Sequence, residues 1–199
     1  MSDSTTVTSR GWWDLADADQ FYPDDLPQDW RLSYFANSFR AAMLPAELWA
    51  RADPQTVTRW RDDVPAGFRF VAERPAMLPP SSAQRLTPAI VTQLLGPTLG
   101  GWLEPIADTP TSAPASNVDR YLRYERAHEF PTEQRSTAAL PAYGLFAAGE
   151  LLSDFRRAKD RLSRATELQG RAPSLIILAR PSSSQLTGWQ ELVELLGLA

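Results

Sequence analysis

The sequence predicts an α/β domain with a parallel sheet and crossover helices, and three observations support this fold class. Residues 174–179 are nearly all apolar, which is typical of a strand buried on both faces of a parallel sheet. Residues 68–72 form a second predicted strand directly after the turn at 65–67. Helical patterns stand next to both strands, and alternation of strands with helices is typical of a parallel α/β sheet.

The N-terminal third supplies the first elements. Residues 1–10 are rich in Ser and Thr and are expected to form a disordered tail, with a single domain over residues 11–199. A short first strand is also expected from Thr6 to Trp13. A helix is expected to open at Leu26-Pro27. Asp53-Pro54 predicts the start of another helix, because Asp is a good N-cap and Pro is tolerated at the first helical position.

The C-terminal half supplies the remaining elements. Residues 81–99 are expected to be partly helical, with Pro88 in the first turn. A flexible loop is expected over residues 105–117, which are rich in Pro, Ser, Thr and Ala. A long helix is expected from Leu145 to Gln169, closed by Gly170. After the strand at 174–179, the segment Thr187-Gly188-Trp189-Gln190 fits a capping box that would open the last helix.

Composition excludes several function classes. The chain has 199 residues, no Cys and a net charge of −4. Without Cys there are no disulfides, thiolate zinc sites or cysteine nucleophiles, and no cofactor is expected. The acidic balance argues against nucleic acid as a partner. No apolar run approaches the roughly 20 residues of a membrane span, and no signal segment opens the chain, so a cytoplasmic location is expected.

Residues 21–75 carry a series of short motifs in a fixed order. These are Phe21-Tyr22-Pro23, Leu26-Pro27, Trp30, Tyr34-Phe35-Ala36, Phe39, Pro54, Thr56-Val57, Trp60 and Pro65-x-Gly67-Phe68-Arg69-Phe70. Together they resemble the domain of unknown function 72 family, the YecE-like proteins, of which the chain is identified as a divergent or degenerate member. The resemblance implies a TIM-barrel-like fold, with any site at the C-terminal ends of the strands. Because the chain is shorter than usual for the family, a shortened or incomplete barrel is expected.

The departures from the family's pattern predict a changed site. In the register that follows Phe39, the resemblance implies a carboxylate and an amide where this chain has Met43 and Pro45. At the end of the next strand the family tends to carry Lys, where this chain has Glu73, followed by Arg74. A change from Lys to Glu inverts the local charge and would repel an anion.

These losses leave two main function classes open. The first is an uncharacterised small-ligand-binding or regulatory module that has lost the polar site residues of its family. The alternative is a hydrolase or lyase that acts on a phosphorylated or sugar-like small molecule at the C-terminal face of the barrel. Its candidate groups would be Asp14, Glu47, Glu73, Arg74 and Arg180. A structural subunit is a third class, and a homodimer is expected if an open sheet edge needs cover.

Candidate ligand-binding residues cluster after predicted strands. The segment Arg180-Pro181-Ser182-Ser183-Ser184 precedes a helix, whose free N–H groups favour a small anion; capping serines in an ordinary loop are the simpler interpretation. Trp12 and Trp13 could stack on a ligand, although aromatic side chains more often belong to the core. The complete set of candidates is Trp12, Trp13, Asp14, Glu73, Arg74, Arg180, Ser182 and Ser183.

Other polar groups favour structural interpretations. His128 is the sole His and is expected on a charged surface. The acidic run from Asp14 to Asp25 lacks the spacing of a calcium loop, so no metal site is expected. The basic run Arg156 to Arg164 is expected to form a mixed-charge helix face, with Arg157 paired to Asp154 and with Asp160 in reach of Arg156 and Arg164.

Overall fold

The structure is a computed structural model that describes residues 4–75, 86–105, 121–124 and 142–198. Its strands are β1 (Thr6–Ser9), β2 (Ala41–Leu44), β3 (Arg69–Glu73), β4 (Leu99–Pro105), β5 (Tyr121–Tyr124), β6 (Ala142–Ala147) and β7 (Leu175–Leu178). Its helices are α1 (Ala18–Phe21), α2 (Arg31–Ser38), α3 (Ala46–Trp49), α4 (Pro54–Asp62), α5 (Pro88–Leu95), α6 (Phe155–Gln169) and α7 (Ser183–Leu195). Short 3-10 turns lie at Gln28–Trp30, Gly96–Thr98 and Gly149–Leu152.

All seven described strands belong to one sheet, in the order β1-β7-β6-β5-β4-β3-β2. Each hydrogen-bonded pair of neighbours is parallel. Described helices lie between β1 and β2, between β2 and β3, between β3 and β4 and between β6 and β7, as a parallel sheet requires of its crossover connections. The predicted α/β class with a parallel sheet is therefore confirmed.

The two faces of the sheet bury different side chains. One face packs against the helices and carries the main core, which includes Phe35, Trp49, Phe70, Trp102 and Trp189. The other face carries a smaller apolar cluster formed by Met43, Val71, Leu103, Leu175 and Ile177, with Phe146 packed against it. Because side chains alternate along a strand, this second cluster collects every other residue of several neighbouring strands.

The two edge strands of the sheet approach each other. Within the described residues no backbone ladder joins β1 to β2, and no closed barrel is found. The edges nevertheless touch, because the buried Thr8 hydroxyl in β1 donates to the Ala41 carbonyl in β2 at 2.9 Å. A TIM barrel is thus not confirmed by the described strands.

Several expected element boundaries are confirmed. Helix α4 begins at Pro54, and the Asp53 carboxylate accepts from the Thr56 N–H at 2.7 Å. Val57 and Trp60 form the buried side of this helix. Pro88 stands in the first turn of α5, and Gly170 ends α6 with φ +69°. All four residues of β7 are buried.

The N-terminal prediction is corrected in two ways. The prediction of a disordered tail over residues 1–10 is wrong for residues 5–9. Strand β1 pairs with β7, and the Thr5 hydroxyl donates to the Pro173 carbonyl at 2.7 Å. The first strand also ends at Ser9 rather than Trp13. Gly11 has φ +86°, a conformation that turns the chain away from an extended strand.

The long helix expected from Leu145 to Gln169 is wrong in its first third. Residues 142–147 form β6, whose residues Tyr143, Leu145 and Ala147 are buried on the helix side of the sheet. Gly149, with φ +62°, then turns the chain out of the direction of the strand. Helix α6 starts only at Phe155, where the Asp154 carboxylate accepts from the Arg157 N–H at 2.9 Å.

The last helix begins earlier than predicted. The capping box is formed by Ser182 and Gln185, not at 187–190: the Ser182 hydroxyl accepts from the Gln185 N–H at 3.1 Å, and the Gln185 side chain accepts from the Ser182 N–H at 2.9 Å. Thr187 lies inside α7 and donates its hydroxyl to the Ser183 carbonyl at 3.1 Å. A pattern of Ser/Thr-x-x-Gln occurs twice here, and the first copy caps the helix.

Some expected features lie outside the described residues. These are His128 and residues 106–117 of the expected loop, whose first residue, Pro105, ends β4. Across the described helices, none combines the length and apolar character needed to cross a membrane.

Candidate functional site

The strand ends bring a small polar cluster together. In a parallel sheet the carboxyl ends of all strands meet at one edge, where ligands bind in open α/β sheets and barrels. At this edge Arg10 follows β1, Glu47 lies in α3 just after β2, and Glu73 ends β3. We refer to Arg10, Glu47 and Glu73 as the strand-end cluster.

Glu73 is the buried member of this cluster, with a relative exposure of 6%. Its carboxylate accepts from the Ala46 N–H at 3.2 Å, and its backbone carbonyl accepts from the Trp49 indole N–H at 2.8 Å. The Ala46 N–H is available because it lies in the first turn of α3, where N–H groups have no partner within the helix. Helix α3 therefore holds Glu73 at two points.

Arg10 connects the two carboxylates. Its Nη2 lies 2.7 Å from Glu47 Oε1 and 4.0 Å from Glu73 Oε2. Because both distances start at the same nitrogen, the two carboxylates lie near each other. The Arg10 and Glu47 side chains are 40% and 56% exposed, whereas that of Glu73 is 8% exposed. The cluster thus extends from solvent to a buried carboxylate at the carboxyl ends of the strands.

Arg74 follows Glu73 directly at the end of β3 and contacts the neighbouring strand β4. Its guanidinium carbon lies 5.5 Å from the centre of the Trp102 ring, a cation–π arrangement. Its backbone N–H donates to the Leu103 carbonyl at 2.8 Å. Trp102 itself is fully buried and donates its indole N–H to the Thr92 hydroxyl at 3.1 Å. Arg74 is therefore fixed by its backbone and stacks on a rigid ring.

The structure confirms that Met43 is a strand residue and that Pro45 follows the strand end. Met43 lies in β2, is 1% exposed and belongs to the second apolar cluster. Pro45 precedes the first residue of α3. Met43 pairs with Val71, and Glu73 lies two residues further along the same face of β3. The carboxylate at this sheet edge is therefore carried by β3.

The start of α7 is occupied by a carboxylate of the chain itself. The Ser183 N–H donates to Asp17 Oδ1 at 2.8 Å, and the Ser183 hydroxyl donates to Asp17 Oδ2 at 2.6 Å. Ser182 caps the helix, and Arg180 is exposed with φ +50°. A free anion at Arg180, Ser182 and Ser183 stays a prediction, and such an anion would compete with Asp17.

The two tryptophans after β1 have different environments. Trp12 is 8% exposed and makes edge contacts with Trp13, Trp60 and Phe70, so its ring serves the core. Trp13 is 39% exposed, and stacking on a ligand stays a prediction for this ring. Asp14 is half-buried. In the part of the chain that the structure describes, no hydrogen bond or ion pair joins Asp14 to the strand-end cluster.

The charged face of α6 pairs differently from the sequence expectation. Asp154 caps the helix through the Arg157 backbone, and the Arg157 guanidinium pairs with Glu150 at 2.6 Å. Of the described ion pairs, none joins Asp160 to an arginine of α6. A spacing of four residues permits such a pair but does not impose it, since exposed pairs gain little free energy.

Sequence reasoning found Glu47, Glu73 and Arg74 but missed Arg10. A single Arg after a short strand has no motif, and the first strand was expected to continue past it. The signal that could have found Arg10 is its place directly after a strand, at the same kind of strand-end position as Glu73. Among the described residues, no group of three or more His, Cys, Asp or Glu side chains is arranged to hold a metal ion.

The fold and its strand ends define an α/β protein with a parallel sheet and a polar cluster at the carboxyl ends of the strands. The family model described as "Protein of unknown function DUF72" matches residues 7–96. This match covers 90 of the 199 residues, and over this part the chain is similar to the DUF72 family. No curated protein matches the sequence.

Two solved structures of DUF72 family proteins share the fold. The protein from Enterococcus faecalis aligns with a TM-score of 0.53 at 9% sequence identity, over 98% of this chain and 98% of that chain. The protein from Thermotoga maritima aligns with a TM-score of 0.56 at 11% identity, over 96% of this chain and 99% of that chain. At these identities the likeness concerns the fold alone.

Proposed function

We propose that the chain is a small-ligand-binding or regulatory module that holds a polar molecule at the strand-end cluster. The observation that carries this proposal is the burial of the Glu73 carboxylate at the carboxyl edge of the sheet. Burying a charged carboxylate costs free energy, which the fold must recover through partners. Such a group is better suited to function than to stability, since apolar side chains at this place would cost less.

The charges of the cluster favour a ligand with hydroxyl or amide groups over a strong anion. Glu73 and Glu47 would repel a phosphate, and Arg10 already lies 2.7 Å from Glu47. A carboxylate offers about four acceptor positions, and a guanidinium offers five donors. A sugar-like molecule presents donors and acceptors to both kinds of group.

The proposal includes a TIM-barrel-like curvature of the sheet. The contact of Thr8 with the Ala41 carbonyl, across the two edge strands, supports it. The second apolar cluster supports it as well, because β2, β3, β4, β6 and β7 all contribute to this one cluster. In such a fold the strand-end cluster would lie at the mouth of the barrel. The proposal also keeps the cytoplasmic location, which fractionation of expressing cells would test.

A hydrolase or lyase is the second candidate, favoured by the two neighbouring carboxylates. Glycoside hydrolysis uses a pair of carboxyl groups on either side of the bond that breaks. In this cluster, however, one guanidinium approaches both carboxylates, and Glu47 is more than half exposed. Binding without chemistry therefore has the stronger support.

The test is thermal unfolding of the native protein and of Glu73→Gln with a panel of monosaccharides, polyols and sugar phosphates. Glu73→Gln keeps the shape and removes the charge. A ligand at 100 times its Kd stabilises by about 2.7 kcal/mol, and about 2–4 °C is expected per kcal/mol for a chain of this size. The native protein should show a saturable rise of Tm that Glu73→Gln loses.

Glu191→Gln is the matched control, since it makes the same change at an exposed residue of α7 that lies outside the strand-end cluster. It should keep the sugar response of the native protein. No saturable response to any compound of the panel, or an equal response in Glu73→Gln, would remove the proposal. Release of product by the native protein but not by Glu73→Gln would establish the enzyme instead.

A further inference from the structure

A partly exposed tryptophan stands just beyond the carboxyl end of β1, close to the strand-end cluster. Trp13 is 39% exposed, whereas its neighbour Trp12 is buried in the core. Only Gly11 and Trp12 separate Trp13 from Arg10, the member of the cluster that follows β1. An isolated exposed apolar side chain is ordinary on a protein surface. Trp13 differs because the residues around it hold its ring in one position.

Gly11 supports one face of the Trp13 ring. A Cβ atom at Gly11 would lie 2.6–2.7 Å from three neighbouring ring carbons of Trp13, namely Cη2, Cζ2 and Cζ3. Three nearly equal distances place Gly11 against the face of the six-membered ring and not against its edge. Only a residue without a side chain permits this approach. The part of Trp13 that remains exposed therefore belongs to the opposite face and to the edges of the ring.

The turn that carries Gly11 is fixed by two hydrogen bonds. The Gly11 N–H donates to the Ser9 carbonyl at 3.0 Å, and the buried Ser9 hydroxyl donates to the Gly11 carbonyl at 2.8 Å. The Trp13 ring also contacts the buried Trp12 ring, with the ring centres 4.8 Å apart and the ring planes at 86°. The Trp13 ring is thus held by the backbone at Gly11 and by the core through Trp12.

The ring lies within reach of a molecule bound at the strand-end cluster. Because consecutive Cα atoms are about 3.8 Å apart, the ring atoms over Gly11 lie within about 8 Å of the Arg10 Cα atom. The Arg10 side chain extends to Glu47 and Glu73, with Nη2 at 2.7 Å from one carboxylate and 4.0 Å from the other. A hexose ring with its hydroxyl groups spans a distance of this order. Polar groups beside an aromatic ring are the usual lining of a small-molecule site.

We propose that Trp13 is the stacking surface of this site and that it restricts the ligand to ring-shaped sugars. The inference rests on the proposed function, because it adds a second contact to a ligand held by Arg10 and Glu73. One face of a pyranose ring carries several C–H groups and is apolar, and the electron-rich face of an aromatic ring attracts such groups. The hydroxyl groups at the rim of the same sugar remain free for Arg10 and Glu73. An open-chain polyol has the hydroxyl groups but no flat apolar face, so it binds more weakly.

Isothermal titration calorimetry tests the inference with methyl β-D-glucopyranoside and methyl β-D-galactopyranoside, and with the open-chain polyols sorbitol and galactitol for comparison. The native protein should bind at least one pyranoside about tenfold or more tightly than either polyol. Trp13→Ala should raise the Kd of that pyranoside about tenfold or more, the effect of losing an aromatic anchor, and leave the Kd of the polyols unchanged. Trp13→Phe keeps a smaller aromatic ring and should recover part of the affinity.

Gly11→Ala displaces the stacking surface without altering any charge of the cluster. The added methyl group would overlap the Trp13 ring, so the ring must leave its position and the pyranoside affinity should fall about as far as in Trp13→Ala. Trp30→Ala is the matched control, because Trp30 is 66% exposed and its neighbour Asp29 pairs with Arg59 of α4 and not with the strand-end cluster. This control should bind the pyranoside as the native protein does.

The outcomes separate this inference from the proposed function. Pyranoside binding that Glu73→Gln loses but Trp13→Ala keeps would overturn the inference alone, and so would a polyol that binds as tightly as the pyranoside. A native protein that binds neither pyranoside would also overturn the inference, while the proposed function would stand or fall with the wider panel of compounds. If Gly11→Ala fails to fold, as circular dichroism would show, the comparison of Trp13→Ala with Trp13→Phe decides.

Discussion

Replacing Met43 by Glu would place a carboxyl group inside the second apolar cluster. Met43 is 1% exposed and packs with Val71, Leu103, Leu175 and Ile177. None of these neighbours carries a side-chain hydrogen-bond donor. The resemblance to the family assigns a carboxylate to this position, so the substitution also asks whether the rest of the site still accepts one.

The size of the effect follows from the protonation of the new group. A Glu of ordinary pKa, about 4.3, requires about 3.7 kcal/mol to stay protonated at pH 7. Burial raises the pKa of the introduced carboxyl, and the carboxylate of Glu73, two residues beyond the pairing partner Val71, raises it further. Met43→Gln has a similar shape without the charge. The Glu variant should therefore be less stable than the Gln variant by about 3–4 kcal/mol at pH 7.

Urea unfolding followed by tryptophan fluorescence measures this difference directly. Because the folded-state pKa of the new carboxyl lies above its unfolded value, the deficit is absent at pH below the unfolded value and grows as pH rises. In thermal unfolding, the deficit corresponds to a Tm about 7–15 °C lower at neutral pH. Equal stability of the Glu and Gln variants at pH 7 would refute the assignment of this position to a dry interior.

Two further predictions concern titrating groups elsewhere in the fold. The Thr56 backbone N–H holds the pKa of Asp53 below its ordinary value. This helix cap therefore stabilises the fold fully when the pH is above the ordinary pKa of Asp, and the stabilisation is lost as the pH falls through the lower pKa of the folded state. The Tm deficit of Asp53→Ala should accordingly shrink between pH 7 and pH 2. Burial raises the pKa of Tyr143 to about 12. The free energy of unfolding should therefore fall as the pH rises from the ordinary pKa of tyrosine to the raised pKa of the folded state. Ultraviolet titration of the phenol groups should show less of this late step in Tyr143→Phe. That variant also loses the bond to the Arg171 carbonyl at 2.8 Å, and urea unfolding at pH 7 should show a loss of about 1 kcal/mol.

An element could be predicted from the sequence where its local pattern is compatible with only one structure. Asp53-Pro54 starts a helix because the carboxylate caps the first turn and the ring suits the first position. The apolar run at 174–179 is typical of a strand buried on both faces of a parallel sheet, and β7 lies in the sheet between β1 and β6. Glu73 was found because the resemblance aligns it with the Lys that the family tends to carry at the end of this strand.

An element could not be predicted where the local pattern is compatible with two structures and contacts distant in sequence decide between them. Residues 142–147 have apolar residues at spacings that suit either a strand or the start of the following helix, and the sheet neighbours β5 and β7 decide for a strand. The cap of α7 could be formed by Ser182 or by Thr187, and the contact of Asp17 with Ser183 supports the earlier start. Arg10 enters the site only through the distant residues Glu47 and Glu73, which no local pattern reveals.

The proposed ligand site is tested most directly by a crystal structure of the protein with the sugar or polyol that raises its Tm most. The account predicts electron density for the ligand within hydrogen-bond distance of the Glu73 carboxylate and the Arg10 guanidinium. It also predicts that Asp17 keeps its two bonds to Ser183 at the start of α7. Ligand density at the start of α7 or on the outer helices, with the strand-end cluster unchanged, would contradict it.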